Sequence, residues 1–263
     1  MNIFRFEMKQ YRGSILVWSI GLAATIILLL PMFVSLTGDP SATESLADNP
    51  MLDTMGISID LFITTTGIFS YLNSIILVAA AIHACNLGLS IITKEHMQNT
   101  ADFLITKPYS RTKIFLSKLM ASLCVIAIIG ICYFLASFVT ISMISEQGFS
   151  FSHFFQIYLT FPLIQLFFLL LGIMISTIVS RVSASLPLAL GISFGFYVIG
   201  LFSNVVQSTI ARLFSPFRYF DFNLVLASEN YEAGYITLFF ALLLLFFITS
   251  YIIYIRKDMK MVL

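Results

Sequence analysis

The chain has 263 residues, of which 59% are hydrophobic and only 10% are charged, and its mean hydropathy is +0.98. Soluble domains are roughly 45 to 50% apolar and about 25% charged, so this composition excludes an ordinary soluble protein and points to the lipid bilayer as the solvent. The net charge of +1 gives no support for binding to nucleic acid.

The N-terminal stretch is basic, with Arg5, Lys9 and Arg12 preceding an apolar run at 14–36. That run is longer than the core of a signal peptide, which spans about 7 to 15 residues, so we read it as a retained first span. Phe4, Met8 and Tyr11 recur at helical spacing, which predicts an amphipathic interfacial helix; a merely basic flank is the alternative.

Six apolar runs have the roughly 20 residues that a helix needs to cross a bilayer. They are residues 14–36, 67–92, 119–144, 154–179, 186–206 and 235–255. The sequence therefore predicts an all-α integral membrane protein that forms a single transmembrane domain over residues 1–263. Pro31, Pro162 and Pro187 are expected to kink or start helices.

The basic residues set the predicted orientation. With both termini in the cytoplasm, only Arg212 and Arg218 of the 14 Lys and Arg residues lie outside. The loop after the first run carries acidic residues and no Lys or Arg until the second run. This asymmetry follows the positive-inside rule and predicts a multi-pass protein of a bacterial inner membrane in contact with lipid.

The segment at 207–234 contains Ser-Pro-Phe-Arg-Tyr-Phe-Asp, with Pro216, Arg218 and Asp221 among its residues. Aromatic residues beside a proline and an Arg/Asp pair favour an interfacial or re-entrant element before the last span. An ordinary aromatic belt is the alternative.

The predicted cytoplasmic segment between the second and third runs is the most informative part of the chain. Ala101, Leu104 and Ile105 are at helical spacing, Asp102 suits a helix N-terminus, and Pro108 stops the helix. Ser110 is expected to cap the next helix. A short apolar helix that does not span the membrane is suited to docking a cytoplasmic partner.

These features resemble the permease subunits of type-2 ABC exporters along the whole chain. The run T-A-D-F-L-I-T-K-P-Y-S-R-T-K is similar to that family's coupling helix, and S-P-F-R-Y-F-D to its outer segment. The resemblance implies a pair of permeases and two separate ATPase subunits. It assigns ATPase coupling to the segment 94–107 and to the loop after the fourth span, through Lys94, Glu95, Asp102, Phe103, Leu104, Lys107 and Arg181. His96 to Asn99 depart from the family pattern, which usually has Gly after the acidic residue.

ATP and magnesium are expected on the partner subunit and no cofactor on this chain. None of the 13 glycines precedes a lysine, so the sequence has no G-x-x-x-x-G-K phosphate loop. It also lacks H-E-x-x-H, and His83, His96 and His153 fall in three separate places, which disfavours a zinc-dependent intramembrane protease or a metal site. No catalytic residue is expected on this chain. The three cysteines lie in apolar runs and are expected to pack as small hydrophobes.

Polar residues line one face of several predicted spans, and we expect those faces to point into the protein. They are interpreted either as a transport pathway or as helix packing, and they comprise Asn73, His83, Asn86, Gln165, Ser193, Tyr197 and Asn204. No Asp, Glu, Lys or Arg lies deep in a predicted span, which disfavours an ion-coupled transporter.

The sequence thus favours a permease that exports a hydrophobic or amphipathic cargo. A peptide such as a bacteriocin, or a toxin like a phenol-soluble modulin, is the preferred cargo by analogy with small permeases that lack a large outer domain. A lipid, drug or ion exporter, and a non-transporting immunity or sensory subunit, remain alternatives.

Overall fold

The structure, a computed structural model, describes residues 3–37, 62, 64–97, 110–145, 148–179, 184–206, 208–220 and 231–256. In the second long helix, the side chains are described only as far as residue 93. Within these ranges the long elements are all helices. They are α1 (Ile3–Thr37), α2 (Thr65–Met97), α3 (Arg111–Ile144), α4 (Phe151–Ile178), α5 (Ser185–Val205) and α7 (Ala233–Arg256). A short helix α6 (Thr209–Leu213) and a 3-10 turn (Pro216–Arg218) lie between α5 and α7.

The six long helices are each long and apolar enough to cross a membrane. The prediction of an all-helical membrane protein is therefore confirmed. The helices extend beyond the apolar runs, and at the start of α3 polar residues continue the helix back to Arg111. Pro31 and Pro162 lie inside α1 and α4, and Pro187 lies in the first turn of α5.

The N-terminal stretch is helical, but it continues into the first span instead of forming a separate helix. One apolar stripe explains the continuity, because Met8, Tyr11, Ile15 and Trp18 pack against the core in the same line as the buried Leu22. With 35 residues, α1 is about 52 Å long, whereas the hydrocarbon core is about 30 Å thick. Its first turns therefore extend beyond the apolar layer.

Helices α2 and α4 form the centre of the bundle and run parallel. Asn73 contacts Thr160 near their first turns, and Gly88 meets Gly172 nearer their last turns. A β-carbon on Gly88 would stand 2.3 Å from the carbonyl oxygen of Leu169, so the two backbones are in direct contact. Small residues permit this approach between membrane helices.

The remaining helices pack around this pair. Helix α1 packs mainly along α3, and α5 packs on α2. Helix α7 packs on α4 through aromatic contacts, with the Phe167 ring centroid 5.3 Å from that of Phe246. The starts of α1, α3 and α5 and the ends of α2, α4 and α7 share one end of the bundle, which we call the basic end because Arg5, Lys9, Arg12, Arg111, Lys113, Lys118 and Arg256 lie on it.

Candidate functional site

Asn73 joins three helices. Its Nδ2 donates to the Ile157 carbonyl oxygen at 3.3 Å and to Thr160 Oγ1 at 3.1 Å, while its Oδ1 accepts from the Tyr133 hydroxyl at 3.0 Å. The amide is fully buried and has partners for both of its polar atoms. In this chain Asn73 therefore holds α2, α3 and α4 together and does not face an open path.

The polar face that contains His83, Asn86 and Ser90 packs towards α1. His83 Nε2 lies 3.3 Å from Ser14 Oγ, and the His83 ring is 4.8 Å from that of Trp18. Two turns further along α2, the Tyr11 hydroxyl lies 3.3 Å from Ser90 Oγ. Asn86, between them, is half-buried. These side chains hold the beginning of α1 against α2.

Two other predicted pathway residues are buried at the middle of the bundle. Gln165 of α4 is 0% exposed, and within the described residues neither its amide nitrogen nor its amide oxygen has a hydrogen-bond partner. Ser193 of α5 is also fully buried, beside the Cys85 thiol of α2. A buried amide without partners costs free energy, so packing among the described residues does not explain the presence of Gln165.

The segment after α5 folds back against that helix. The Ser215 hydroxyl donates to the Phe196 carbonyl oxygen at 2.9 Å, and Gly200 leaves room for Ser215 and Arg218, because a β-carbon there would stand 2.6 Å from Ser215 Oγ. Phe196 lies about 13 Å along the axis from the end of α5 at Val205. The buried Pro216 begins the turn, so the segment enters the bundle as a re-entrant element.

Aromatic rings hold the re-entrant turn between α4 and α5. Phe217 lies 5.3 Å from Phe168 and 5.8 Å from Tyr197, measured between ring centroids. The predicted pathway residue Tyr197 thus contacts the outer segment. Asn204, in the last turn of α5, is half-buried.

Arg212 fastens the same segment to the start of α7. Its Nη2 donates to Glu232 at 3.0 Å, its Nε donates to the Arg218 carbonyl oxygen at 3.1 Å, and its guanidinium lies 4.0 Å from the centroid of the Tyr235 ring. The Tyr219 hydroxyl donates to the Leu213 carbonyl oxygen, and burial raises the pKa of Tyr219 to about 12. The phenol therefore stays protonated at neutral pH. Asp221 lies outside the described residues.

A buried ion pair lies at the basic end. Lys118 Nζ lies 4.0 Å from Glu7 Oε1 and donates to the Ile91 carbonyl oxygen at 2.7 Å, and both side chains are 1% exposed. We did not predict a role for either residue from the sequence. A signal was present, because Glu7 is the only acidic residue in the basic N-terminal stretch and Lys118 adjoins the third apolar run.

The predicted coupling residues are placed only in part. Lys94 and Glu95 lie in the last turns of α2, and their side chains are outside the description. Asp102, Phe103, Leu104, Lys107 and Arg181 lie outside the described residues altogether. The expected cap on the next helix is confirmed, since Ser110 Oγ accepts from the Lys113 backbone N–H at 3.3 Å.

Comparison with known families gives a clear result. The model of the family described as "ABC-2 family transporter protein" matches residues 1–259. Comparison with curated proteins gives no match. The match covers all the membrane helices and the loops between them. The chain therefore belongs to the ABC-2 transporter family and is a membrane-spanning permease of an ABC transporter.

Proposed function

We propose that this permease forms the membrane part of an exporter in which two such chains pair and each binds a cytoplasmic ABC ATPase. The observation that carries the proposal is the family match over residues 1–259, together with a sequence that has no phosphate-binding loop of its own. ATP hydrolysis must then occur on another chain. We propose that the basic end faces the cytoplasm, in keeping with the positive-inside rule.

The pairing of two permeases is supported by the outward faces of α1 and α5. Gly191 and Gly195 on α5, and Gly21 on α1, have nothing within 4 Å of an added β-carbon, so small residues lie on open helix faces. Such residues allow close contact between membrane helices. The second chain is proposed to be a copy of this one or a paralogue.

The coupling role is proposed for the segment 94–107 and, secondarily, for the loop that contains Arg181. This segment leaves the bundle at the end of α2 and returns at the Ser110 cap of α3. The segment is joined to α2 at one end and to α3 at the other, so a displacement of the segment is passed directly to both helices.

The proposed cargo is a hydrophobic or amphipathic molecule, with a membrane-active peptide favoured. Two features of the described residues support this choice: the outer surface is apolar, and polar side chains are buried at the middle of the bundle. Gln165 and Ser193 offer hydrogen-bonding atoms where an amphipathic cargo would otherwise meet only hydrocarbon. An aromatic turn around Phe217 closes one end of this region.

The test begins with an affinity-tagged chain purified in detergent from its native host. We expect a complex that contains an ATPase with a G-x-x-x-x-G-K loop and two permease chains, measured by native mass spectrometry. In liposomes, this complex should hydrolyse ATP faster when a fluorescent amphipathic helical peptide is added, and should move the peptide across the bilayer. A polar peptide of equal length is the control. Hydrolysis without movement of any cargo would favour an immunity or sensory subunit.

A further inference from the structure

We infer that Glu7 and Lys118 are positioning residues that fasten the beginning of α1 to both flanks of the coupling segment. The inference rests on the proposed function, in which the segment 94–107 receives the motion of the ATPase. The pair adds a third helix, α1, to the two that the segment joins directly. Through this contact α1 would move together with α2 and α3.

The geometry places Lys118 at the meeting point of three helices. Its Nζ is 2.7 Å from the Ile91 carbonyl oxygen on α2 and 4.0 Å from Glu7 Oε1 on α1, while its own backbone belongs to α3. Ile91 lies one helical turn before Lys94, where the coupling segment begins. Lys118 lies two turns after Arg111, where α3 begins. The ammonium group therefore bridges the chain just before and just after the segment.

Stability alone gives a weak reason for this arrangement. Two charges that are each 1% exposed lose their hydration, and replacing a buried ion pair with apolar side chains of similar volume is often neutral or stabilising. Membrane helices in general rarely carry buried charged side chains unless those side chains serve a function. The pair does fix the relative position of the helices that it joins, because separating two opposite charges in an apolar surrounding costs a large amount of free energy.

The first turns of α1 are suited to receive motion through this contact. The buried Glu7 lies on the same stripe as Tyr11, Trp18 and Leu22, which packs along the bundle without a break. Tyr11 adds a neutral contact with Ser90 of α2 at 3.3 Å. A displacement at Lys118 is thus applied to one end of a single continuous helix that runs to Thr37.

The experiment compares three variants of the full complex with its ATPase. Lys118→Met alone removes the ammonium group that lies 4.0 Å from the buried Glu7 carboxylate and is expected to lower the yield, so the test uses the neutral double variant Glu7→Gln with Lys118→Met. Tyr11→Phe is the matched control, since it removes a neutral contact from the same helix face. Cys85, Cys124 and Cys132 are replaced by Ala, and spin labels are placed at the exposed Lys9 and Lys113.

The distance between the two labels is measured by double electron–electron resonance, without nucleotide and after trapping with ATP and vanadate. Labelled chains are diluted with unlabelled ones so that only pairs within a chain contribute. The wild-type pair and the Tyr11→Phe variant should keep one narrow distribution in both states. The double variant should keep its ATPase and its thermal stability, but its distribution should broaden or shift several-fold more on trapping than the wild type's.

Two results would overturn the inference. One is a double variant whose distance distribution matches the wild type in both states, and the other is a wild-type distribution that itself shifts on trapping. Failure of the proposed function is a separate result, because no ATPase would then be present in the purified complex. As a functional readout, hydrolysis stimulated by the amphipathic peptide should fall several-fold in the double variant while basal hydrolysis is retained.

Discussion

Gly88 of α2 and Gly172 of α4 meet backbone to backbone at the centre of the bundle. A β-carbon on Gly172 would stand 2.5 Å from the Cys85 carbonyl oxygen, and one on Gly88 would stand 2.3 Å from that of Leu169. The atoms in the way are backbone atoms, which cannot rotate aside. The closeness of the two central helices therefore depends on these two glycines.

Alanine at either glycine should destabilise the permease. Gly88→Ala or Gly172→Ala should lower the free energy of unfolding by about 1 to 3 kcal/mol, the usual cost of overpacking, and by more if both are changed. The measurement is the Tm of the purified chain in detergent. Gly13→Ala is the control: its β-carbon meets nothing within 4 Å, so the Tm should stay the same or rise. Equal effects at all three positions would contradict the packing described.

Gln165 and Asn73 should respond in opposite ways to the same substitution. Within the described residues the Gln165 amide has no partner, whereas the Asn73 amide has three. Gln165→Leu should therefore raise the free energy of unfolding by about 1 to 3 kcal/mol, and Asn73→Leu should lower it by a similar amount. If Gln165 contacts cargo, peptide-stimulated hydrolysis should fall in the more stable variant. A Gln165→Leu chain with lower stability would indicate that a group outside the described residues binds the amide.

The comparison of these two amides shows what the sequence could and could not predict. Long apolar runs identified the membrane helices because the bilayer imposes both length and composition. The periodicity of polar residues also indicated that Asn73 and Gln165 face inward, and both are fully buried. It could not separate packing from pathway, because the partners of a side chain come from helices that are distant in the sequence.

The Glu7 and Lys118 contact illustrates the same limit. Glu7 lies in the basic stretch before the first apolar run and Lys118 directly before the third, where charged residues ordinarily face water, and their separation in the chain hides their contact. The continuity of α1 was missed for a related reason. The change from basic to apolar composition near Gly13 marks the boundary of the predicted membrane segment, but the helix itself passes through it. The Ser110 cap was predicted correctly because capping is a local interaction.

The re-entrant turn should loosen when Gly200 gains a side chain. Ser215 is 0% exposed and lies against Gly200, so a thiol in the Ser215→Cys variant should react slowly with a small maleimide. Gly200→Val should displace the turn and increase that rate several-fold, with little change in Tm because the helices remain packed. Gly13→Val is the control, since nothing lies within 4 Å of its β-carbon. Slow labelling in the Gly200→Val chain would contradict the proposed contact.

The orientation proposed from the basic residues predicts a simple labelling pattern. In a chain whose native cysteines are replaced by Ala, a cysteine at Asp48 should react with an impermeant thiol reagent added to intact cells. A cysteine at Lys107 should react only after the cells are opened. The physical basis is the retention of Lys and Arg on the cytoplasmic side. The reverse pattern would place the basic end outside and remove the basis for ATPase docking there.

We propose that the segment 94–107 connects this permease to its ATPase. The most direct measurement is the amount of ATPase that co-purifies with a Phe103→Asp, Leu104→Asp double variant, compared with wild type and with a Lys9→Gln control at an exposed position of α1. An unpaired charge that is buried on docking costs several kcal/mol, on the order of a few powers of ten in affinity. We expect the double variant to insert normally into the membrane but to lose the ATPase. A normally inserted double variant that still binds the ATPase and still shows peptide-stimulated hydrolysis would contradict the proposal.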